Sequence, residues 1–110
     1  MTATVLDETL AQHTMLVSQI RTWDVFDTRV LHAMSQVPRE QFVPPTLRAL
    51  AFADSVLPLG GGEEMLAPRV AARLLQAVDI QSGDKVLEVG TGSGYVTACL
   101  AHLAAQVHTL

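Results

Sequence analysis

The sequence predicts an α/β fold in which a helical region comes first and a parallel sheet begins near residue 85. Three observations support this prediction. Apolar residues recur at helical spacing through the first half of the chain. A short strand pattern at 85–89 leads directly into a glycine loop at 90–94, and a helical pattern and a second strand pattern follow it. The order strand, glycine loop, helix, strand is the opening of a parallel α/β sheet.

Composition limits the classes of protein that fit. The chain has 110 residues, 49% of them hydrophobic and 16% charged, which is typical of one soluble globular domain. The net charge of −4 gives no basic footprint for nucleic acid. No signal peptide and no run of about 18 apolar residues is visible, so we expect neither export nor a membrane span. The single cysteine, Cys99, lies in an apolar run and is expected to be buried in a reducing, cytoplasmic setting.

Residues 1–55 are predicted to form a helical cap. The first helix of this cap follows from spacings of three and four residues, which place one set of side chains on a single face. A tryptophan that follows this helix, Trp23, is expected to pack under the cap. The predicted face consists of Leu6, Leu10, His13, Val17 and Ile20.

A second helix of the cap is expected to begin at Asp27, which is a good N-cap residue, and to end at Pro38. Its inward side chains are predicted to be Val30, Ala33, Met34 and Val37. An apolar, helical pattern resumes over 47–52.

Residues 56–84 are predicted to form a loop and then a helix. The run Gly60–Gly62 permits positive φ and a close approach of backbone to a ligand. Pro68 suits the first turn of the helix that follows. Val70, Leu74 and Val78 recur every four residues, which predicts that this helix extends to about residue 77 or 78.

Residues 85–110 are predicted to contain the first strand, the glycine loop, a helix and the start of a second strand. The strand covers 85–89, and the helix runs from Tyr95 to about residue 104. Val96, Leu100 and Leu103 are expected on one face of this helix. The second strand is expected from Val107.

The glycine loop indicates a binding site for a cofactor. Backbone N–H groups and the positive end of a helix dipole are exposed at such a loop and suit an anionic or polar group. The dinucleotide pattern G-x-G-x-x-G fails because Tyr95 or Thr97 stands where its third glycine belongs, and no lysine follows to make a Walker loop. Glu88 precedes the loop, and an acid at this position favours a cationic ligand.

The stretch Val86-Leu87-Glu88-Val89-Gly90-Thr91-Gly92-Ser93-Gly94-Tyr95 resembles the first motif of the S-adenosylmethionine-dependent methyltransferases. The upstream stretches are similar to the N-terminal region of the protein-L-isoaspartate O-methyltransferase family. The resemblance implies the N-terminal part of a Rossmann-like methyltransferase fold preceded by a helical cap, with S-adenosyl-L-methionine bound over the carboxyl ends of the strands. The stretches that carry it are 19–21, 27–34, 37–44 and 51–60.

The resemblance also implies the reaction and the site. Methyl transfer from S-adenosyl-L-methionine would take place to the free carboxylate of an isoaspartyl or D-aspartyl residue in a damaged protein. Such a carboxylate is already ionised at pH 7, so no general base is needed, and positioning dominates catalysis. Glu88 would orient the amino group of the cofactor. The cofactor-binding residues implied are Glu88, Gly90, Thr91, Gly92, Ser93 and Gly94.

The loop before Pro68, which the resemblance places on the substrate side, departs from the family pattern. The family usually has G-Q-T-I-S-x-P, with the serine in the active site, whereas residues 62–68 here are G-E-E-M-L-A-P. Glu64 stands at the threonine position and Leu66 at the serine position, so the catalytic residue is unassigned. Two alternatives therefore stay open, a non-catalytic binding or assembly module and a methyltransferase that acts on another acceptor.

A complete fold of this class needs roughly 200 residues, and the family's ribose-binding acid would follow directly after Leu110. We therefore expect a truncated chain that binds the cofactor weakly or not at all and self-associates through uncovered sheet edges. The four histidines show no metal-ligand spacing, so no metal is expected.

Overall fold

The computed structural model describes the backbone of residues 3–110 and the side chains of residues 8–110. A helical region comes first. Helix α1, Ala3–Thr14, continues into a π-helical turn, Met15–Ile20, and a 3₁₀ turn, Arg21–Trp23. Helix α2, Thr28–Gln36, follows, and then two 3₁₀ helices, Arg39–Phe42 and Pro45–Leu50.

The second half begins with an antiparallel hairpin of strands β1, Leu57–Gly60, and β2, Glu63–Met65. Helix α3, Pro68–Val78, leads to strand β3, Lys85–Glu88. Helix α4, Tyr95–Leu103, then connects β3 to strand β4, Gln106–Thr109, which pairs with it in parallel. The predicted strand, loop, helix and strand are thus all present, whereas the predicted substrate-side loop is a β-hairpin with a bulge.

The fold buries one hydrophobic core between the helical region and the β3–α4–β4 unit. Helix α2 packs on α4, and α3 packs on both α2 and the π-helical turn. None of the helices in the described part of the chain is long and apolar enough to cross a membrane.

The prediction for α2 is confirmed. Asp27 caps the helix, since its Oδ1 accepts a hydrogen bond of 2.9 Å from the N–H of Arg29. The helix ends one residue before Val37, and Pro38 follows. The four side chains predicted to point inward are all buried, as is Cys99 on α4.

The predicted buried face of α1 is wrong. Leu10 is 65% exposed and Val17 is 48% exposed, although Ile20 is buried. The side of α1 that faces the rest of the chain instead carries Ala11 and Gln12, which are half-buried, and Met15 is buried at the start of the π-helical turn. Gln12 fixes the same orientation by donating from Nε2 to the carbonyls of Met34 and Val37 at the end of α2. His13 is exposed, and the side chain of Leu6 lies outside the described residues.

Helix α3 ends at Val78, as the spacing predicts, but it buries a different face from the one that Leu74 and Val78 share. Leu74 and Val78 are 52% and 65% exposed, while Ala71, Ala72 and Leu75 are buried. The two alanines permit a close approach of α3 to its helical neighbours. One polar side chain fixes the orientation: Gln76 accepts from the backbone N–H groups of Phe26 and Asp27 and donates to the carbonyl of Asp24.

Trp23 does not pack under the cap as predicted. It is 39% exposed, and its ring lies 4.5 Å from the guanidinium carbon of Arg69 and 5.6 Å from that of Arg73. These arginines are one turn apart on α3, and Arg73 also donates to the Trp23 carbonyl. The indole is therefore an exposed contact between the helical region and α3.

Candidate cofactor site

The glycine loop turns the chain sharply between the carboxyl end of β3 and the first residue of α4. Gly94 has a φ of +86°, which side chains other than glycine rarely adopt. A Cβ at Gly94 would lie 3.7 Å from the ring of Phe42, and a Cβ at Gly92, which has a φ of +55°, would lie 3.9 Å from Leu59. The loop therefore passes close to the helical region and to the β1–β2 hairpin.

Backbone hydrogen bonds fix this loop to the end of β4. The N–H groups of Gly90 and Thr91 both donate to the carbonyl of Leu110, at 2.9 and 3.1 Å. Leu110 in turn donates to the carbonyl of Glu88 at 2.9 Å. Ser93 Oγ accepts from the N–H of Tyr95, the first residue of α4, at 3.2 Å. The carboxyl ends of β3 and β4 thus meet at the loop, which is the usual ligand edge of an open α/β sheet.

The carboxylate of Glu88 lies half-buried at this edge. Thr109 Oγ1 donates to Glu88 Oε1 at 2.7 Å, and the hydroxyl of Thr97 donates to the same oxygen. Thr91 Oγ1 lies 2.6 Å from Thr109 Oγ1. We refer to Glu88, the loop 90–94, Thr97 and Thr109 as the glycine-loop site.

The structure brings the six predicted cofactor-binding residues together in this site, since they run from the end of β3 to the start of α4. Thr97 and Thr109 were not predicted. A threonine inside a helix and a threonine at a strand end are common in any sequence, and only the fold places both beside Glu88.

The charged groups of the described residues at this site fit S-adenosyl-L-methionine. Residues 88–95 contain no lysine or arginine, so the loop offers no cation for a phosphate. Within the described part of the chain Glu88 Oε2 receives no hydrogen bond, so a carboxylate oxygen is available to a ligand ammonium. No three His, Cys, Asp or Glu side chains come together as a metal site among the described residues.

The two substituted positions lie on or next to the hairpin. Glu64 is exposed on β2, opposite Pro58 of β1. Leu66 is 39% exposed and follows the end of β2. The hairpin adjoins the glycine loop at Leu59, whose side chain would lie 3.9 Å from a Cβ at Gly92.

A buried arginine, Arg39, contacts the residue that follows the hairpin and the start of α4. No sequence motif marked this residue as part of the site. Arg39 is fully buried and donates from Nε to the carbonyl of Ala51 at 2.7 Å and from a terminal nitrogen to the carbonyl of Leu66 at 2.9 Å. Its guanidinium carbon lies 4.6 Å from the ring centre of Tyr95, at the start of α4. Burial lowers the pKa of Arg39 and raises the pKa of Tyr95. Burial also raises the pKa of the neighbouring Cys99 to about 11.

The family model for protein-L-isoaspartate(D-aspartate) O-methyltransferase matches residues 11–110. Protein-L-isoaspartate O-methyltransferase 2 of Anaeromyxobacter sp. (strain Fw109-5) is 48% identical over 94 residues, which cover 86% of this chain and 39% of that protein. The Aeropyrum pernix protein-L-isoaspartate O-methyltransferase is 53% identical over 79 residues, 72% of this chain and 30% of that protein. The chain therefore spans less than half the length of these relatives.

Two solved structures share the fold. A protein-L-isoaspartate O-methyltransferase superposes with a TM-score of 0.71 at 24% identity, covering 89% of this chain and 33% of that one. A Plasmodium falciparum beta-aspartate methyltransferase structure, described as a complex with S-adenosyl-L-homocysteine, superposes with a TM-score of 0.62 at 23% identity. The second match covers 86% of this chain and 40% of the other.

Proposed function

The chain belongs to the protein-L-isoaspartate(D-aspartate) O-methyltransferase family, and we propose that its protein transfers a methyl group from S-adenosyl-L-methionine to isoaspartyl or D-aspartyl carboxylates of damaged proteins. The observation that carries this proposal is the family match over residues 11–110, which includes the helical region, the hairpin and the glycine loop. The Plasmodium falciparum structure, described as a complex with S-adenosyl-L-homocysteine, supports the choice of cofactor.

The residues of this chain would bind and orient the cofactor. When bound, S-adenosyl-L-methionine supplies an electrophilic methyl group on a sulfonium. Glu88 would accept hydrogen bonds from its ammonium, and the loop Gly90–Gly94 would provide a surface without side chains at three of its five positions. Thr91 and Ser93 complete the set of cofactor-binding residues that we propose.

The acceptor needs positioning more than it needs a proton transfer. An isoaspartyl carboxylate is ionised at neutral pH, so the protein has only to align it with the methyl group and exclude water. We assign this task to the segment from Leu59 to Ala67, which adjoins the glycine loop where Leu59 approaches Gly92. Arg39 fixes the end of this segment through the carbonyl of Leu66.

The physiological partner would be a protein or peptide that contains isoaspartyl residues, in the cytoplasm. The single, buried Cys99 is consistent with a reducing compartment. The formal net charge of −4 argues against nucleic acid as a partner.

Cofactor binding is tested by equilibrium dialysis with labelled S-adenosyl-L-methionine on the protein at the full length of its reading frame. Gly92→Val should weaken binding at least about tenfold, because it adds a side chain at a positive φ in the loop. Gly83→Ala is the matched control, since Gly83 has open space around it and no positive φ. Equal binding by wild type and Gly92→Val would contradict the assignment of the loop.

The acceptor is tested by methylation of an isoaspartyl peptide against the same peptide with aspartate. Turnover of the isoaspartyl peptide alone supports the proposed reaction. Cofactor binding without that turnover would point to another acceptor, and the absence of cofactor binding would point to a non-catalytic module.

A further inference from the structure

The hydroxyl groups around Glu88 form a chain whose direction can be worked out. Thr109 Oγ1 donates its single proton to Glu88 Oε1. In the contact between Thr91 Oγ1 and Thr109 Oγ1 either atom could be the donor by geometry, but Thr109 has no second proton to give. Thr91 must therefore donate to Thr109, and a lone pair of Thr91 Oγ1 stays available as an acceptor.

These contacts join three separate elements. Thr109 on β4 is the register partner of Glu88 on β3, so both side chains lie on the same face of the parallel pair. Thr97 lies on α4 and donates to the same carboxylate oxygen. Both hydroxyl donors thus act on Oε1, and Oε2 is left without a donor within residues 8–110.

The charge of Glu88 is not neutralised by the protein in the described part of the chain. The ion pairs of the described residues involve Asp27, Asp54, Asp79 and Glu8, and none involves Glu88. Two hydroxyl groups therefore orient a carboxylate that lacks a cation. Glu88 Oε2 and the available lone pair of Thr91 Oγ1 both accept hydrogen bonds, so this part of the site suits a ligand with several N–H donors and a positive charge.

We propose that Thr97 and Thr109 are positioning residues for recognition of the cofactor's ammonium. They fix Glu88 through Oε1, so that Oε2 and the hydroxyl oxygen of Thr91 accept from the ammonium. This inference rests on the proposed function and deepens it, because it assigns the amino-acid part of the cofactor to particular atoms of this chain.

The test compares two ligands that differ in the amino-acid portion, which carries the ammonium. S-adenosyl-L-homocysteine carries it, whereas 5′-deoxy-5′-methylthioadenosine lacks the whole amino-acid portion. Binding of both is measured by calorimetry on the protein at the full length of its reading frame. Thr109→Val should weaken S-adenosyl-L-homocysteine binding about tenfold, since it removes the donor that orients Glu88. Methylthioadenosine binding should change less than about twofold.

Three further variants separate positioning from a general loss of structure. Thr109→Ser keeps the hydroxyl and should restore S-adenosyl-L-homocysteine binding to within about threefold of wild type. Thr97→Val should selectively weaken binding of S-adenosyl-L-homocysteine as well, because Thr97 orients Glu88 from α4 as Thr109 does from β4. Thr46→Val is the matched control, because Thr46 is exposed on a 3₁₀ helix of the cap.

The outcomes are distinct. The proposal would be overturned if Thr97→Val and Thr109→Val both bind S-adenosyl-L-homocysteine as wild type does. It would also be overturned if both variants lose affinity for S-adenosyl-L-homocysteine and for methylthioadenosine to the same extent. Failure of the wild-type protein to bind S-adenosyl-L-homocysteine would instead contradict the proposed function itself, and this inference with it.

Discussion

The glycine loop and the β1–β2 hairpin lie next to each other but are held in place by different kinds of contact. The loop is fixed from within the β3–α4–β4 unit, by backbone bonds to Leu110 at the end of β4 and by hydroxyl groups around Glu88. The hairpin exposes its two acids, and the residue that follows it, Leu66, is attached by a hydrogen bond from the buried Arg39. The proposed cofactor side of the site therefore depends on contacts within the β3–α4–β4 unit, whereas the proposed acceptor side is attached to a side chain of the helical region.

Arg39→Met should produce the largest effect, because it leaves the buried carbonyl of Ala51 and that of Leu66 without a donor. We expect a loss of about 3 kcal/mol in the free energy of unfolding, measured with urea. Hydrogen exchange should increase at Glu63–Met65 more than at Gly90–Gly94. Arg48→Met, at an exposed ion pair with Glu8, is the control and should change little. Equal loosening of loop and hairpin would show that the two segments are not fixed independently.

Glu64→Thr with Leu66→Ser should raise isoaspartyl methylation at least about tenfold in the protein at the full length of its reading frame. The change removes a like charge and supplies a hydroxyl near the acceptor. Cofactor affinity should stay within about twofold, since the glycine loop is untouched. Glu63→Thr on the same strand is the matched control. A flat methylation rate would mean that the hairpin does not face the acceptor.

The 110-residue chain by itself should self-associate, because Leu74, Val78, Leu87 and Val89 are all at least half exposed beside the open β3–β4 pair. Leu87→Thr should weaken association about fivefold in sedimentation or light-scattering experiments. Leu50→Thr, at an exposed leucine of the cap, should leave it unchanged. A monomer at high concentration would contradict the prediction.

Asp27→Ala should produce the smallest effect, about 1 kcal/mol of unfolding free energy at neutral pH. Burial alone would raise the pKa of Asp27, but hydrogen bonds and charge from Arg29 outweigh it and lower the pKa. The stabilisation is therefore present above the ordinary aspartate pKa and is lost as the pH falls through the folded pKa. Wild type and variant should converge in stability at acidic pH. Both segments of the site should keep their hydrogen-exchange rates.

Local signals explain which parts of the fold were predictable. The cap at Asp27, the stop at Pro38 and the strand before the glycine loop all depend on residues close in sequence. The inward faces of α1 and α3 depend on the hydrogen bonds of Gln12 to the end of α2 and on close packing of alanines, which apolar spacing does not reveal.

The same distinction applies to the site. The six residues of the predicted cofactor set are contiguous or nearly so, and a motif finds them. Arg39 donates to carbonyls 12 and 27 residues away, and Thr109 reaches Glu88 across 21 residues. No pattern in the sequence marks such partners, because a carbonyl acceptor belongs to every residue.

The position of Trp23 gives the protein an intrinsic optical reporter. It is the only tryptophan in the sequence, and its half-exposed ring lies against two arginines of α3. Its fluorescence therefore monitors the junction between the helical region and α3, while circular dichroism monitors the helices as a whole. Coincident unfolding curves from the two signals would indicate one cooperative unit, and an earlier change in fluorescence would locate the first break at this junction.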